Sequence, residues 1–327
     1  SSDVCSSDLA LPDNVSQYNY TDNSSAYKDY EPGEHILQLS QSEKDLLQMV
    51  CENFNNVVVI CNSANVMELG ELNDYKQVKG ALWVPGTGQS GFNGMANILR
   101  GTVNPSGHTA DIFPADITKA PYFNNIGSFV YDNMSEFPTK SAGVDWTPTF
   151  INYVEGIYVG YKYYETRYED AVLGQGNTAG YDYSADVAYP FGYGLSYTTF
   201  AYSKPTVKAD ANGFKATVTV TNTGKVAGRE VVELYVAAPA GGLEKPAREL
   251  KAFGKTKMLA PGESETLTFN VSSYELASFN EDASAWETAS GNYQVLFGAS
   301  VTDIRCTSAF KMSKAQAWKV NDALGKK

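Results

Sequence analysis

Residues Tyr189–Phe200, with the sequence YPFGYGLSYTTF, divide the chain into two parts of different character. Upstream of them, apolar runs alternate with segments of helical periodicity; downstream, short segments of alternating apolar and polar residues are separated by turn residues. Strands that alternate with helices are typical of an α/β domain, whereas closely spaced alternating strands are typical of a β-sandwich. The sequence therefore predicts two domains that are joined through this segment.

The residues of this junction predict a tight turn that is closely packed. Pro190, Gly192 and Gly194 suit a turn in which two stretches of backbone approach each other, because glycine has no Cβ atom. Phe191 and four further aromatic residues would cover the turn. Neighbouring aromatic residues pack more often than they bind a ligand, so we interpret the junction as a packed connection between domains.

The composition limits the partners that the chain can have. Its 327 residues exceed the usual size of a single core, and its net charge of -12 accompanies 43% hydrophobic residues. This charge argues against nucleic acid and anionic membranes as partners, because each phosphate contact needs a cation, and it fits a neutral substrate. No apolar run reaches the length of a membrane span. The compartment stays open, with a cytoplasmic location slightly favoured.

The histidines and cysteines have no spacing that is typical of a metal site or a catalytic triad. His35 and His108 lie far apart in sequence, so neither a histidine metal site nor a Ser-His-Asp triad is predicted, and no cofactor is expected. A disulfide between Cys51 and Cys61 is one interpretation, and free buried thiols are the more common one.

The part of the chain before the junction carries the pattern of an α/β domain. Ser40 followed by Glu43 predicts the capped start of a helix. Residues Val57–Ile60 are all apolar, which predicts a parallel strand that is buried on both faces. A short helix over Met67–Tyr75 and a strand over Gly80–Val84 would complete a βαβ unit.

A glycine-rich turn follows the second predicted strand. Gly86, Gly88 and Gly91 spell G-x-G-x-x-G ahead of a predicted helix, and Asp111 lies twenty residues beyond the last of them. This pattern is compatible with an NAD site, in which the helix N-terminus would hold a pyrophosphate. However, a proline–glycine turn interrupts the place where the next strand should end in an acidic residue. We therefore favour a structural glycine turn and keep an NAD-dependent oxidoreductase as an alternative.

Tyrosine is concentrated around the junction. Eleven of the 22 tyrosines lie between Tyr153 and Tyr197. A tyrosine can stack on a sugar ring and hydrogen-bond its hydroxyls, but aromatic residues with a polar tip are also enriched at interfaces. We favour the interface and regard Tyr153 and Tyr158 as candidates for positions next to a substrate. Glu155 is a weak candidate for a catalytic acid, since an ion pair or a cap is the more common role.

From about Tyr202 onward the pattern is all-β. Apolar residues alternate through Phe214, Ala216, Val218 and Val220, and similar segments follow at regular spacing. Strands at this spacing over roughly a hundred residues predict a β-sandwich. The residues after it predict a polar tail.

The junction closely resembles the segment that joins an α/β sandwich domain to a fibronectin-III-like domain in family-3 glycoside hydrolases. Asn104, Pro105 and Gly107, which follow the glycine-rich turn and its helix, are similar to the second domain of that family. The segment Asn152–Tyr161 is similar to the stretch ahead of its junction, and Pro261–Glu263 resembles a turn of its fibronectin-III-like domain.

This resemblance implies an α/β three-layer sandwich, incomplete at its N-terminal side, followed by an all-β immunoglobulin- or fibronectin-III-like sandwich. If the first domain begins only near residue 39, one edge or face of its sheet should be exposed. The expected divisions are residues 1–9, a short repeat interpreted as a sequence artefact; 10–38, irregular; 39–188, the α/β sandwich; 189–201, the junction; 202–312, the fibronectin-III-like domain; and 313–327, the tail.

The resemblance also implies hydrolysis of O-glycosidic bonds with retention, as in a β-glucosidase. That reaction needs two carboxyl groups, of which the family's nucleophilic aspartate lies on a separate (β/α)8 barrel of about 250 residues. The sequence encodes neither this barrel nor the family's acid/base loop. We therefore expect the chain to work with a barrel domain of the same parent protein and a carbohydrate substrate, and to be inactive alone. Besides a fragment of a glycosidase, two other functions stay open: a non-catalytic carbohydrate-binding or scaffolding module, and the NAD-dependent oxidoreductase.

Overall fold

The computed structural model describes residues 29–31, 33–123, 153–176 and 180–321, together with 130, 132–133, 136, 140–141, 144–145 and 150. The interpreted artefact at residues 1–9, most of the irregular segment at 10–38, and Asn152 lie outside the described residues. The chain divides into two compact units, and it passes from the first to the second for the last time between Tyr189 and Pro190. The second unit also contains two earlier segments, Ser90–Ile112 and Ile157–Tyr181.

The first unit begins with a capped helix, α1, over Gln41–Asn53. Ser40 and Glu43 form the predicted capping box: the Ser40 hydroxyl accepts from the Glu43 N–H at 3.4 Å, and the Ser40 N–H donates to Glu43 Oε2 at 2.9 Å. Leu47 and Cys51 are the buried residues of the helix. The sequence signal for this helix start is therefore confirmed.

Replacing Ser40 by alanine should destabilise this helix by about 1 kcal/mol, because the Glu43 N–H loses the hydroxyl that accepts its hydrogen bond. Ser40→Asp should be close to the wild type, since aspartate caps as well as serine does. Urea unfolding of the three proteins measures the difference. An alanine variant as stable as the aspartate variant would contradict the assigned role of this box.

Strand β1 (Val57–Cys61) pairs in parallel with β2 (Val78–Trp83), as the βαβ pattern predicts. The expected burial of β1 on both faces is wrong. Val57 is buried against α1, but Val58 is 51% and Ile60 38% exposed, so one face of the strand is open. An apolar run indicates that burial of the strand would be favourable, but it does not show that other elements cover both faces. The observed exposure agrees with the expectation of an uncovered sheet face.

The connection between β1 and β2 contains a 3₁₀ helix over Gly70–Asp74 in place of the longer helix predicted over Met67–Tyr75. Leu69 and Leu72 are buried in the core of the unit. These two side chains hold the connection on the core, so a single 3₁₀ turn is sufficient and no full α-helix forms. Further elements of the first unit are the strand pair β3 (Phe113–Pro114) and β6 (Val187–Tyr189), the strand pair β4 (Lys140–Ser141) and β5 (Val144–Asp145), the short helix α4 (Tyr183–Asp186), and a 3₁₀ helix (Ile117–Lys119).

The second unit contains two helices ahead of its strands. Helix α2 covers Phe92–Leu99, and helix α3 covers Tyr161–Leu173. Gly174 ends α3 in the left-handed conformation (φ 69°), which is the common C-terminal stop of a helix. Among the described residues, no helix has both the length and the apolar character needed to cross a bilayer.

Two four-stranded antiparallel sheets form a β-sandwich in the second unit, as the alternating pattern predicts. Inward-facing residues such as Val218, Leu234 and Tyr293 are fully or almost fully buried in its core. One sheet has the order β11-β10-β15-β16, with bounds Glu249–Lys255, Val231–Ala237, Gly291–Gly298 and Ile304–Met312. The other consists of β12 (Ser264–Ser272), β9 (Gly213–Asn222), β7 (Phe200–Tyr202) and β8 (Thr206–Asp210), with both β7 and β8 paired to β9.

A three-stranded antiparallel sheet adjoins the sandwich. It has the order β13-β14-β17, with bounds Ser278–Asn280, Ala285–Thr288 and Gln316–Lys319. Part of the predicted polar tail is therefore a strand. Trp318 of this strand lies directly opposite Trp286 of β14, and this cross-strand aromatic pair helps to hold the segment on the sheet. The last described residue is residue 321.

Candidate functional site

The junction turn is held by hydrogen bonds from a single threonine of the second unit. The Thr109 carbonyl accepts from the Gly192 N–H at 2.9 Å, and its hydroxyl donates to the Pro190 carbonyl at 2.9 Å. The same hydroxyl accepts from the Tyr193 N–H at 2.9 Å. Three successive parts of the turn are thus fixed by one residue, which leaves the turn little freedom.

The aromatic residue of the turn packs on helix α3. The Phe191 ring stacks on Tyr161 with centroids 4.6 Å apart, and Tyr161 in turn meets Tyr235 of β10 edge-on at 6.1 Å. The Phe191 carbonyl accepts from the Val301 N–H at 3.0 Å. Aromatic pairs in these geometries stabilise by about 0.5–1.5 kcal/mol beyond burial. These rings are packed against protein, so they do not form an open stacking surface.

Gly192 approaches a buried carboxylate. It has φ 78°, and a Cβ atom built on it would lie 2.2 Å from Glu233 Oε2. Glu233 is only 5% exposed, and it accepts a hydrogen bond from the Tyr235 hydroxyl at 2.5 Å. Burial raises the pKa of Glu233 to about 7, against the opposing effect of the tyrosine hydrogen bond. The glycine is therefore required twice, once by its backbone angle and once by this carboxylate.

His108 is a structural residue of the same region. Its Nδ1 atom lies 2.6 Å from the Gly192 carbonyl and 3.0 Å from the Ala299 carbonyl. Burial lowers its pKa, which keeps the ring neutral over a wider pH range. A neutral ring with Nδ1–H donates to these carbonyls and joins the turn to a loop of the sandwich.

Asn104 clamps the other end of the junction. Its side-chain oxygen accepts from the Tyr197 N–H at 2.8 Å and the Ser196 hydroxyl at 3.0 Å, and its side-chain N–H donates to the Ala227 carbonyl at 3.1 Å. Pro105, half-buried, follows it.

The backbone of the junction turn approaches the loop at residues 104–109 closely at Gly194. A Cβ atom on Gly194 would lie 2.4 Å from the Gly107 carbonyl, a close approach that only glycine at position 194 permits. The structure thus brings the loop at residues 104–109 together with the junction turn.

The glycine-rich turn does not have the surroundings of a dinucleotide site. Gly86, Gly88 and Gly91 are partly or fully exposed, with φ 59° at Gly88, and no atoms lie within 4 Å of a Cβ built on Gly86 or Gly88. The strand that follows α2 is the two-residue β3, which pairs antiparallel with β6. Asp111 does not end a parallel strand, because it precedes β3 and accepts a hydrogen bond from the adjacent Ile112 N–H at 2.8 Å. The acidic residue of an NAD site therefore has no counterpart in this topology.

The candidate residues Tyr153, Glu155 and Tyr158 differ in their exposure and in their partners. Tyr153 is 86% exposed, and Glu155 is half-buried in the turn at residues 154–157. Tyr158 belongs to the second unit, where its hydroxyl donates to Glu244 Oε1 at 2.6 Å. Burial and this carboxylate raise the pKa of Tyr158 well above its usual value. A substrate role for these residues remains a prediction.

Sequence reasoning missed the buried acids of the sandwich. Glu230 accepts hydrogen bonds from Arg305 Nη1 at 2.9 Å and from the Tyr202 hydroxyl at 3.0 Å, and burial raises its pKa. Glu165 on α3 is only 2% exposed. The one available signal is a glutamate inside an apolar strand segment, as in the sequence Val231–Ala237, which contains Glu233. Glu230 and Glu233 are thus bound by their own side-chain partners.

A shallow cleft of about 330 Å³ lies beside the three-stranded sheet. It contains one carboxylate, Glu287, which accepts from Asn280 Nδ2 at 3.1 Å, and one lysine, Lys245, whose Nζ donates to the Ser278 hydroxyl at 3.2 Å. Glycosidic hydrolysis with retention needs two facing carboxyl groups, so this cleft cannot carry it. In the part of the chain that the structure describes, no group of three His, Cys, Asp or Glu side chains is suited to a metal ion.

The cysteines among the described residues, Cys51, Cys61 and Cys306, are free. Cys51 is buried, and Cys61 lies with its Sγ 3.9 Å from Met67 Sδ. Burial raises the pKa of Cys61 to about 11, so its thiol is unreactive at neutral pH. The disulfide interpretation is therefore wrong, and free thiols are what the structure shows.

Two family models match the chain. Residues 20–161 match the glycosyl hydrolase family 3 C-terminal domain, and residues 230–301 match the fibronectin type III-like domain. The chain belongs to glycosyl hydrolase family 3. Its two folds, an α/β domain and a fibronectin-III-like sandwich, are those that the junction sequence implied.

Relatives of known activity match this family-3 chain over most of its length. It is 34% identical to beta-glucosidase A of Butyrivibrio fibrisolvens over 296 residues, which is 84% of this chain and 32% of that protein. It is also 34% identical to an exo-alpha-(1->6)-L-arabinopyranosidase of Bifidobacterium breve, over 82% of this chain and 31% of the other. The family-3 chain thus spans about a third of the length of these relatives.

Solved structures give the same result. Beta-glucosidase 3B of Thermotoga neapolitana in complex with alpha-D-glucose superposes with a TM-score of 0.71 and 34% identity, covering 87% of this chain and 35% of the other. Beta-glucosidase of Kluyveromyces marxianus in complex with glucose superposes with a TM-score of 0.69 and 31% identity, over 86% and 29%. The family assignment therefore holds in three dimensions as well as in sequence.

Proposed function

We propose that this chain is the supporting part of a retaining β-glycosidase, β-glucosidase-like, whose nucleophilic carboxylate lies on a (β/α)8 barrel of the same parent protein. The observation that carries the proposal is the match of most of the chain to about a third of each β-glucosidase relative. The barrel would then make most of the contacts with the carbohydrate substrate. This agrees with the fact that relatives named for different sugars share the portion that this chain matches.

The carboxylates of the described residues support this division of labour. Glu230 is paired with Arg305, Glu233 is covered by Gly192 and Tyr235, and Glu287 stands alone in its cleft. None of these arrangements provides a nucleophile and a proton donor on opposite sides of a sugar. The chain's contribution is therefore structural: the junction turn and the loop at residues 104–109 form a rigid frame.

The purified chain should show no hydrolysis of an aryl β-glucoside above the buffer rate, because attack and proton donation need two positioned carboxyl groups. The decisive measurement uses a chimera in which this chain replaces the matching region of the Thermotoga neapolitana β-glucosidase 3B. We expect the chimera to hydrolyse the substrate and the same enzyme without that region to be inactive.

Two outcomes would contradict the proposal. One is a chimera that folds, as judged by circular dichroism, but lacks activity. The other is turnover by the chain alone that disappears in a Glu155→Gln variant, which would make the weak candidate Glu155 a catalytic residue after all. Glu263→Gln, a change at a half-buried carboxylate that pairs with Lys257, is the matched control for the second outcome.

A further inference from the structure

Four aromatic side chains lie together on the three-stranded sheet of the second unit. Phe279, Trp286 and Trp318 occupy directly opposite positions on β13, β14 and β17, so they share one face of the sheet. Tyr274, from the adjoining 3₁₀ helix, meets Trp318 at 5.3 Å and Trp286 at 6.1 Å between ring centroids. We name these four residues the aromatic face. Tyr274 is 49% and Phe279 42% exposed, and both tryptophans are partly exposed.

The polar atoms of the aromatic face have no partners in the described part of the chain. The Nε1–H groups of Trp286 and Trp318 and the hydroxyl of Tyr274 make no hydrogen bond there, and neither tryptophan nitrogen is buried. By contrast, the buried tyrosines of this unit use their hydroxyls, as Tyr235 does toward Glu233. The aromatic face thus combines apolar ring surface with three unused hydrogen-bonding groups, which is the combination that a sugar ring requires.

The charges around the aromatic face limit the kind of ligand that can bind there. Stacking on aromatic rings is also how single-stranded nucleic acids bind, but such sites need a cationic groove. Here the nearest turn carries the exposed acids Glu281 and Asp282, and Glu275 follows Tyr274 in the 3₁₀ helix. With a net charge of -12 on the whole chain, an anionic ligand would be repelled. A neutral ligand fits this surface.

The spread and tilt of the rings indicate the shape of that ligand. Three rings cross two interstrand spacings of about 4.8 Å each, a distance longer than one sugar ring. The Phe279 and Trp286 planes are inclined by 58°, and those of Tyr274 and Trp318 by 90°, so the rings do not form a flat platform. A flexible chain of several sugar units can adapt to such a surface, whereas the flat face of a crystalline polysaccharide cannot.

We propose that the aromatic face is a binding site for a soluble, neutral β-glucan chain, separate from the site of hydrolysis. The β-linkage rests on the proposed function; the neutral, flexible and oligomeric character of the ligand rests on the rings, their free polar groups and the local charge. In this role the second unit holds a polymeric substrate near the parent enzyme without contributing to bond cleavage.

The test measures binding of the full chain to soluble mixed-linkage β-glucan by affinity electrophoresis, and to cellohexaose by calorimetry and tryptophan fluorescence. Trp318→Ala should weaken binding about tenfold or more, since it removes one of the two indole rings and its N–H group. Tyr274→Ala, a change at an exposed position, is the second variant in case Trp318→Ala fails to fold. Phe253→Ala is the matched control, because Phe253 is a 72% exposed aromatic residue on another strand of the same unit.

Loss of glucan binding in the aromatic-face variants but not in Phe253→Ala, with crystalline cellulose unbound, is the expected result. Four outcomes overturn the proposal: no binding by the wild type, equal loss in Phe253→Ala, equal binding of the α-glucan dextran, or a wild-type dimer that Trp318→Ala converts to a monomer. The last would show that a second copy of the chain covers the face. Because the assay needs no barrel, glucan binding by a chain whose chimera is inactive would refute the proposed function alone.

Discussion

Replacing Gly192 by alanine should destabilise the second unit by about 2 to 5 kcal/mol, which is a large fraction of the free energy of unfolding of an ordinary domain. A left-handed backbone angle costs a residue with a Cβ atom about 1–2 kcal/mol, and Gly192 has φ 78°. The added methyl group would lie 2.2 Å and 2.4 Å from the two carboxylate oxygens of Glu233. Overpacking of this kind costs about 1–3 kcal/mol more.

A matched control separates these two contributions. Gly262 has almost the same angle, φ 79°, but no atoms lie within 4 Å of a Cβ built on it. Gly262→Ala should therefore lose only the backbone contribution of about 1–2 kcal/mol. Urea unfolding of both variants at one pH gives the comparison. If the two variants were equally stable, the close approach of Gly192 to Glu233 would not matter energetically.

Removing the charge of Glu233 should abolish a large part of the pH dependence of stability. Burial raises the pKa of this carboxyl from 4.5 to about 7 in the folded protein, so the folded state holds its proton more tightly than the unfolded state does. The stabilisation is fully present below pH 4.5 and is lost as the pH rises through 7. The shift corresponds to about 3 kcal/mol.

We therefore expect Glu233→Gln to gain stability relative to the wild type by about 3 kcal/mol between pH 4.5 and pH 8. The comparison with the variant is needed because Glu230 and Asp111 also have raised pKa values. Glu263→Gln serves as the control: the neighbouring Lys257 lowers the pKa of Glu263, so its contribution is lost only as the pH falls through the folded pKa. If the free energy of unfolding changed with pH in the same way for the wild type and Glu233→Gln, ionisation of Glu233 would not destabilise the folded state, which would contradict this prediction.

Local sequence patterns predicted the elements whose determinants are close together in the chain. The capping box at Ser40 and the alternation in β9 each depend on residues within a few positions of one another. The parallel pairing of β1 with β2 follows from two apolar strand segments that a single connection joins. The junction was recognised because its glycines and aromatic residues are contiguous. In each of these cases the physical cause can be read from a short window.

Features that depend on distant covering elements were not predictable in this way. Glu233 and Tyr235 occupy the face of β10 opposite to the core residue Leu234, a face that an isolated pattern assigns to solvent. They are buried because Gly192 and Tyr161, more than forty residues upstream, pack over them. For the same reason the polar composition around Trp318 concealed a strand, since its partner, Trp286, lies in a separate segment.

The participation of residues 90–112 and 157–181 in the second unit has a consequence for how this protein can be divided. An excision at residue 202 would cut through β7, keep the other strands of the sandwich and discard Thr109, Tyr161 and Gly192. Glu233 and Tyr235, which these residues cover, would then be exposed to water. The uncovered face of the sheet would be prone to aggregation. The second unit is built from three separate segments of the chain, so no single cut in the chain isolates it for transplantation.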